Sequence, residues 1–395
     1  MSGLDAALMA TYARQPVAFE RGAGVWLWDT RGERYLDALS GIAVCGLGHA
    51  HPEVARAIAE QAATLVHTSN LYQVPLQAQL AERLVALSGL KEAFFCNSGA
   101  EANEAAIKIA RKYGHGRGIG VPTVVVADGS FHGRTLATLS ATGNRKVQAG
   151  FEPLVQGFTR VPYDDLEALQ RVAEHQRDVV AVLLEPVQGE GGIRVPSAQY
   201  LAGVRALCDQ HGWLLMLDEI QTGMGRSGQW FACQHAGITP DVMTLAKGLG
   251  NGVPIGACLA GGRAAGVLQP GNHGSTFGGN PLACRAALTT LDIIDRDALP
   301  QRAGELGAWL LGALRERLAG CAGVVDVRGL GLLIGIELDR PCAKLVQMAL
   351  ERRLLINVTA ERVVRLLPPL VMSDQEAAQL VDTLCPLIVD FCAGS

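Results

Sequence analysis

Aromatic residues are scarce, at 5% of the 395-residue chain, and charged residues make up only 18%. The 34 Lys+Arg and 38 Asp+Glu leave a net charge of -4 with both signs scattered. No basic stripe is available to hold nucleic acid, and no field draws the chain to an acidic membrane. Long hydrophobic runs are missing too: VVAVLLEPV and GWLLMLDE have strand length, far short of a bilayer span. The first residues, MSGLDAALMATYARQPVAFERGAG, lack a basic start followed by an apolar block, so no signal peptide is expected. There are 10 cysteines but no CxxC pair, and most sit in apolar segments. Reduced, buried thiols in a cytoplasmic protein are the expectation, not a disulfide framework. The 49% hydrophobic content excludes disorder and fits one large or two linked domains with ample core.

The middle of the chain alternates helix-type and strand-type segments. PLQAQLAERLVALS (75–88), GAEANEAAIKIARKY (99–113) and DDLEALQRVAEH have helical periodicity. A fourth helix, SAQYLAGVRALCDQHG, is predicted to start at a Ser197 N-cap and to stop at Gly212. Between them lie apolar strands at 92–97, 122–129, 179–187, 213–219 and 241–248. Continuous apolar strands between helices indicate an α/β fold with a mostly parallel sheet covered on both faces. After about 285 the texture changes. VVDVRGLGLLIGIELD reads as a hairpin, followed by the helix CAKLVQMALERR, the segment ERVVRLLPPL and a last helix from Ser373, together a smaller α+β unit. GVWLWDTRGERYLDAL reads as a front hairpin turning at TRG. The expected division is a front segment 1–45 packing with the small unit, a large domain 46–285 and a small domain 286–395.

Five short stretches carry chemistry. Asp218 closes the apolar run WLLML, where an open α/β sheet faces its ligand crevice. An N-cap or surface acid is the plain alternative; metal ligation is disfavoured because no His/Cys/Asp cluster lies nearby at a ligand spacing. Lys247, in TLAKGLGNGVPIGA, follows a strand and precedes a Gly-rich turn. A lysine there either snorkels to water or has its amine desolvated or covalently changed. NSGAEANE passes from strand to helix through Ser98, Gly99 and Ala100, small residues that leave the N–H groups of a first helical turn open to an anion. The Gly-Lys-Ser/Thr ending of a Walker A loop is absent. FHGRT places Phe131, able to cover a flat ligand, beside Arg134, able to hold a carboxylate. HGSTFGGNP is a second Gly-rich loop with Ser275 and Thr276. Each has an ordinary turn or core reading. Together they meet one demand, a phosphorylated electron-poor heterocycle bearing an aldehyde, with the lysine condensed on it and the acid on its ring nitrogen.

With these motifs the chain resembles the class III, fold type I aminotransferases that use pyridoxal 5'-phosphate, and among them the acetylornithine aminotransferases. The resemblance runs nearly end to end through YLDALSGIAVCGLGHAHPEV, HTSNLY, NSGAEANEAAIKIAR, FHGRTLATLS, EPVQGEGG, LDEIQTGMGRSG, LAKGLGNGVPIGA and GSTFGGNPLAC. It implies Lys247 as the Schiff-base lysine and proton-transferring base, Asp218 on the pyridine nitrogen, and Gln221 on the ring's oxygen side. Phe131 would stack on the ring, with Ser98, Gly99 and Ala100 at the phosphate. Thr276 would reach the phosphate of the neighbouring subunit's cofactor, which implies a homodimer with shared active sites. Arg134, with Ser275 nearby, would hold the α-carboxylate of N2-acetylornithine and then the side-chain carboxylate of glutamate. Arg365 would take glutamate's α-carboxylate, and Glu190 would mask that arginine for the other substrate.

Two departures bear on the substrate. Related ornithine aminotransferases tend to carry a tyrosine where this chain has GIAV (41–44), and its absence favours an acetylated donor over free ornithine. NSGA replaces the NSGT of many relatives, with little consequence expected because the N–H contacts remain. The resemblance implies transfer of an amino group to 2-oxoglutarate with no metal. Succinylornithine, succinyldiaminopimelate, ornithine or 4-aminobutyrate as donor, and an isomerase resembling the glutamate semialdehyde mutases, stay open at this point.

Overall fold

The computed structural model describes residues 7–394; the first six residues of the expected front segment, and Ser395, lie outside the described residues. Its centre is a seven-stranded sheet in the order Glu92–Cys96, Gly256–Ala260, Val242–Leu245, Leu214–Asp218, Val179–Leu184, Thr123–Ala127, Phe158–Val161. Only Gly256–Ala260 runs against its neighbours, so the sheet is mostly parallel, as expected. The inner strands TVVVA, VVAVLL and LLMLD are buried at every position. Helices cover both faces, which is why these strands are apolar throughout and do not alternate.

Helix boundaries follow local chemistry. Pro75–Ser88 begins with proline in its first turn and ends at Gly89, whose φ of 71° is left-handed. Gly99–Gly116 is capped by Ser98, whose Oγ accepts the Glu101 N–H at 3.2 Å. The predicted Ser197 cap is not used as expected. The helix begins at Tyr200 after Gln199, and Ser197 instead gives its N–H and hydroxyl to Asp164, the hydroxyl at 2.8 Å. A carboxylate 33 positions upstream, in the loop before helix Leu166–His175, out-competed the local cap, although Gly212 does end the helix at φ 65°.

A second, antiparallel sheet contains Val324–Leu330, Leu333–Leu338, Val363–Leu366 and Asn357–Thr359. The front hairpin, Trp26–Asp29 with Arg34–Asp37, is extended by Leu354–Leu355 through a parallel pair, Leu36 with Leu354. The last helix, Asp374–Ala393, has a reciprocal cap between Ser373 and Glu376, and Glu376 also accepts the Trp26 indole N–H at 2.9 Å. Helix Pro281–Arg296 runs across residue 285. Ser40, Gly41, Ile42 and Ala43 all have φ between 47° and 66°. Three of them carry a Cβ, so this short left-handed run is strained, and it delivers Val44 to the cavity wall.

Candidate active site

The carboxyl ends of the parallel strands converge on a cavity of about 380 Å³. Five strand ends supply its key residues: Ser98 after Cys96, Phe131 after Ala127, Glu185 after Leu184, Asp218 at its own strand end, and Lys247 after Leu245. Lys247 is half-buried, lines the cavity and is held at φ 47°, an uncommon conformation for a residue with a side chain. Enclosure pushes its ammonium below the ordinary value; Glu190 opposes this, Arg365 adds to it, and Asp218 and Glu185 oppose it. The sequence left snorkelling open for this lysine; the structure places it on the cavity wall, where burial lowers its proton affinity.

Asp218 is 4% exposed, and its carboxylate is fixed on every side. Oδ2 lies 2.9 Å from His132 Nδ1 and accepts Asn103 Nδ2 at 2.8 Å, while Oδ1 accepts the Ile220 N–H at 3.1 Å. Thr244 donates to Asn103 Oδ1 at 2.7 Å and so orients the amide. A buried carboxyl group held this way keeps its direction toward the cavity. His132, Asn103 and Thr244 escaped the sequence reading, although FHGRT did show an imidazole there. The residues come from separate elements, and only the fold joins them.

Gly99 lets the helix start sit close. A Cβ there would lie 2.7 Å from Ile220 Cδ1, and one on Gly256 would lie 2.5 Å from the Ser98 carbonyl oxygen. Ser98, Gly99 and Ala100 all line the cavity, as do Phe131, Arg134, Gln221 and Glu190. The exposed Arg134 guanidinium stands 5.5 Å from the Phe131 ring centroid. Arg365 lies behind this wall with 0% exposure. Its Nη1 meets Glu190 Oε1 at 2.5 Å and Gln221 Oε1 at 3.4 Å, Nε meets Asn357 Oδ1 at 3.2 Å, and Nη2 has no hydrogen-bond partner among the described residues. The structure therefore brings Glu190 and Arg365 together.

Ser275 and Thr276 are elsewhere. They line a neighbouring cavity with Glu101, Glu104, Lys108 and His273, and Ser275 Oγ accepts Asn97 Nδ2 at 3.3 Å. Within one chain they do not join Lys247, and Ser275 does not sit with Arg134. Glu185, which the sequence reading passed over, is 6% exposed. Burial pushes its carboxyl up to about 7; His132 opposes, Asp218 adds, and the Gly189 and Phe131 N–H groups oppose.

An enclosed amine, a restrained buried carboxylate, a helix N-terminus reached through Gly99 and an aromatic wall are the donor set that pyridoxal 5'-phosphate needs, and the residues fit it. Fold and site together define a fold type I pyridoxal-phosphate enzyme. The family model for class-III aminotransferases matches residues 8–388, and the chain belongs to that family. It is 63% identical to the acetylornithine aminotransferase of Nitrosomonas europaea over 97% of this chain and 98% of the relative. With that of Methanothermobacter thermautotrophicus it shares 48% identity over 97% and 96%. Among solved structures it superposes on the Toxoplasma gondii ornithine aminotransferase with a TM-score of 0.95, at 34% identity over 98% of this chain and 94% of that one. The N-acetylornithine aminotransferase of Stenotrophomonas maltophilia gives 0.84 at 36% identity over 97% and 98%. The protein is a pyridoxal-phosphate-dependent aminotransferase.

Proposed function

We propose that this chain transfers the δ-amino group of N2-acetyl-L-ornithine to 2-oxoglutarate, giving N-acetyl-L-glutamate 5-semialdehyde and L-glutamate, a step of arginine biosynthesis. The observation that carries the reading is the pair of arginines around one cavity, Arg134 open at the rim and Arg365 buried behind Glu190. A donor that presents an ω-amine needs one carboxylate anchor; glutamate needs two. Arg134 serves as the anchor common to both. Arg365 serves only glutamate, and Glu190 neutralises it while the ω-amine donor is bound. The acetylornithine aminotransferase relatives support the donor, as does a Gly41–Val44 segment without a hydroxyl to hold a free α-amine.

When bound, the cofactor supplies an electrophilic aldehyde carbon and a conjugated ring that accepts the charge left when a substrate carbon gives up its proton. Asp218 would hold the ring nitrogen in its protonated form, with His132 and Asn103 fixing the carboxylate. Gly99, Ala100 and Ser98 would take the phosphate at the helix start, Phe131 would cover the ring face, and Gln221 would face the ring oxygen. Lys247, its proton affinity lowered by enclosure, accepts a proton from the substrate carbon and returns it.

The reading includes a cytoplasmic homodimer. Leu71, Tyr72 and Phe277 are 86%, 71% and 62% exposed beside the Thr276 loop, where Asn70 donates to the Ser275 carbonyl. An apolar patch there suits a second copy, with Thr276 turned to its phosphate site. Among the described residues no helix is long and apolar enough to cross a membrane.

The test is single-turnover absorbance of cofactor-loaded protein mixed separately with N2-acetylornithine and ornithine. Rapid change with the first and a much slower one with the second is expected. A preference for free ornithine would move the chain to the ornithine aminotransferases.

A further inference from the structure

Glu185 stands at the carboxyl end of the strand Val179–Leu184, between two loops that both face the cavity. Its carboxyl oxygens serve one loop each. Oε1 accepts the Phe131 amide N–H at 2.9 Å, and Oε2 accepts the Gly189 amide N–H at 3.0 Å. Its backbone is pinned as well, because the Tyr163 hydroxyl reaches both the Glu185 carbonyl at 3.0 Å and the Pro186 carbonyl at 2.9 Å. One planar group thus fixes the cavity's aromatic relative to the residue that precedes Glu190.

The connection continues to the buried arginine. Gly189 packs so tightly on Gln221 that a Cβ would lie 2.2 Å from Gln221 Oε1, and that same oxygen faces Arg365 Nη1. On its far side the Glu190 carbonyl accepts the Thr359 hydroxyl. Glu190 is therefore held through its backbone at both ends, by Thr359 from one sheet and by the Glu185–Gly189 contact from the other.

We propose that Glu185 is a positioning residue whose carboxyl couples the Phe131 wall to the loop carrying Glu190, and thereby sets how firmly Glu190 covers Arg365. This rests on the two-substrate reading above. Loosening the Gly189 arm frees Glu190 to leave the guanidinium. Glutamate, which needs Arg365 uncovered, then gains relative to the ω-amine donor, which needs it neutralised. A carboxyl that served only to fill the core would harm both half-reactions alike.

Two variants of the cofactor-loaded protein test this. Glu185→Gln keeps the shape but turns one acceptor into a donor, so only one of the two N–H groups stays satisfied; Glu185→Asp keeps the carboxyl group and is too short to span both. Residue-resolved hydrogen exchange should show the Phe131 or Gly189 amide exchanging roughly tenfold faster, with Val180–Leu183 unchanged. Separate single-turnover reactions should show the ratio of glutamate to ω-amine reactivity rising about fivefold, a shift the size of one hydrogen bond. Unchanged protection of both amides, or an equal loss in both half-reactions, overturns the coupling. Wild-type protein inert to N2-acetylornithine would instead overturn the donor assigned above, and the coupling would then be read from amide exchange in the same variants.

Discussion

Replacing Glu190 with Gln keeps a polar side chain beside Arg365 and removes the charge that neutralises it. Arg365 is 0% exposed on its side chain and Glu190 35%, with 2.5 Å between Nη1 and Oε1. At a charge separation of ~4 Å and an effective dielectric near 20, the attraction is about 4 kcal/mol. That is an upper bound, since Glu190 is over a third exposed and water screens it. A hydrogen bond to a charged group contributes about 1.5–3 kcal/mol, which sets the expected change at roughly 10- to 100-fold. Glu190→Gln should therefore bind glutamate tighter by that factor, because glutamate no longer displaces a carboxylate. It should also react more slowly with N2-acetylornithine, which leaves the buried guanidinium uncompensated. Rapid-mixing absorbance against concentration of each substrate gives both numbers. If the two substrates respond in the same direction, or if glutamate affinity is unchanged, Glu190 is not a gate and the double-anchor argument fails.

Gly99→Ala should weaken cofactor binding by about 1–3 kcal/mol, because its Cβ meets Ile220 at 2.7 Å. Titration of cofactor-free protein measures this, and an Ile220→Ala background should restore binding; no loss, or no rescue, would show the helix start is not the tight point. A dimer assembled from one Lys247→Ala and one Thr276→Ala subunit should regain one working site, since the Thr276-deficient subunit keeps its lysine and borrows its partner's threonine. A mixed dimer as inactive as its parents would place Thr276 in its own subunit's chemistry. His49 Nε2 lies 2.7 Å from Asp37 Oδ2. Burial disfavours its charge, but the bonds to Asp37 and then Cys45 outweigh that and push it up to about 9, from 6.5. A raised folded value means the stabilisation is fully present below pH 6.5 and is lost as pH rises through about 9. Urea unfolding of wild type and His49→Gln should converge over that window, and a constant difference would refute the ion pair.

The candidate site was legible wherever its residues are sequence neighbours. NSGA, FHGRT, the acid closing WLLML and the lysine closing VMTLA each sit at a strand end, and apolar runs of strand length told where those ends are. The Ser197 cap misled because Ser-x-x after a loop is a local signal, and a distant carboxylate, Asp164, captured its donors. The left-handed run at 40–43 had no signal beyond Gly41. It is imposed from outside, by Asp37 Oδ1 accepting the Leu39 and Ser40 amides and by Ser40 donating to the Leu367 carbonyl.

By itself, then, the sequence determined an α/β fold, a small-residue helix start after a strand, a strand-end acid and a strand-end lysine, because hydrophobic period and short motifs act over a few residues. Tertiary structure alone decided which distant groups complete them. His132 reaches Asp218 across 86 positions and Glu190 reaches Arg365 across 175, while Glu185 joins two loops that share no sequence pattern. Those pairings depend on strand order and loop path. They also depend on exclusion of water, which makes a buried charge costly unless it meets its partner, and neither is written in the periodicity of the chain.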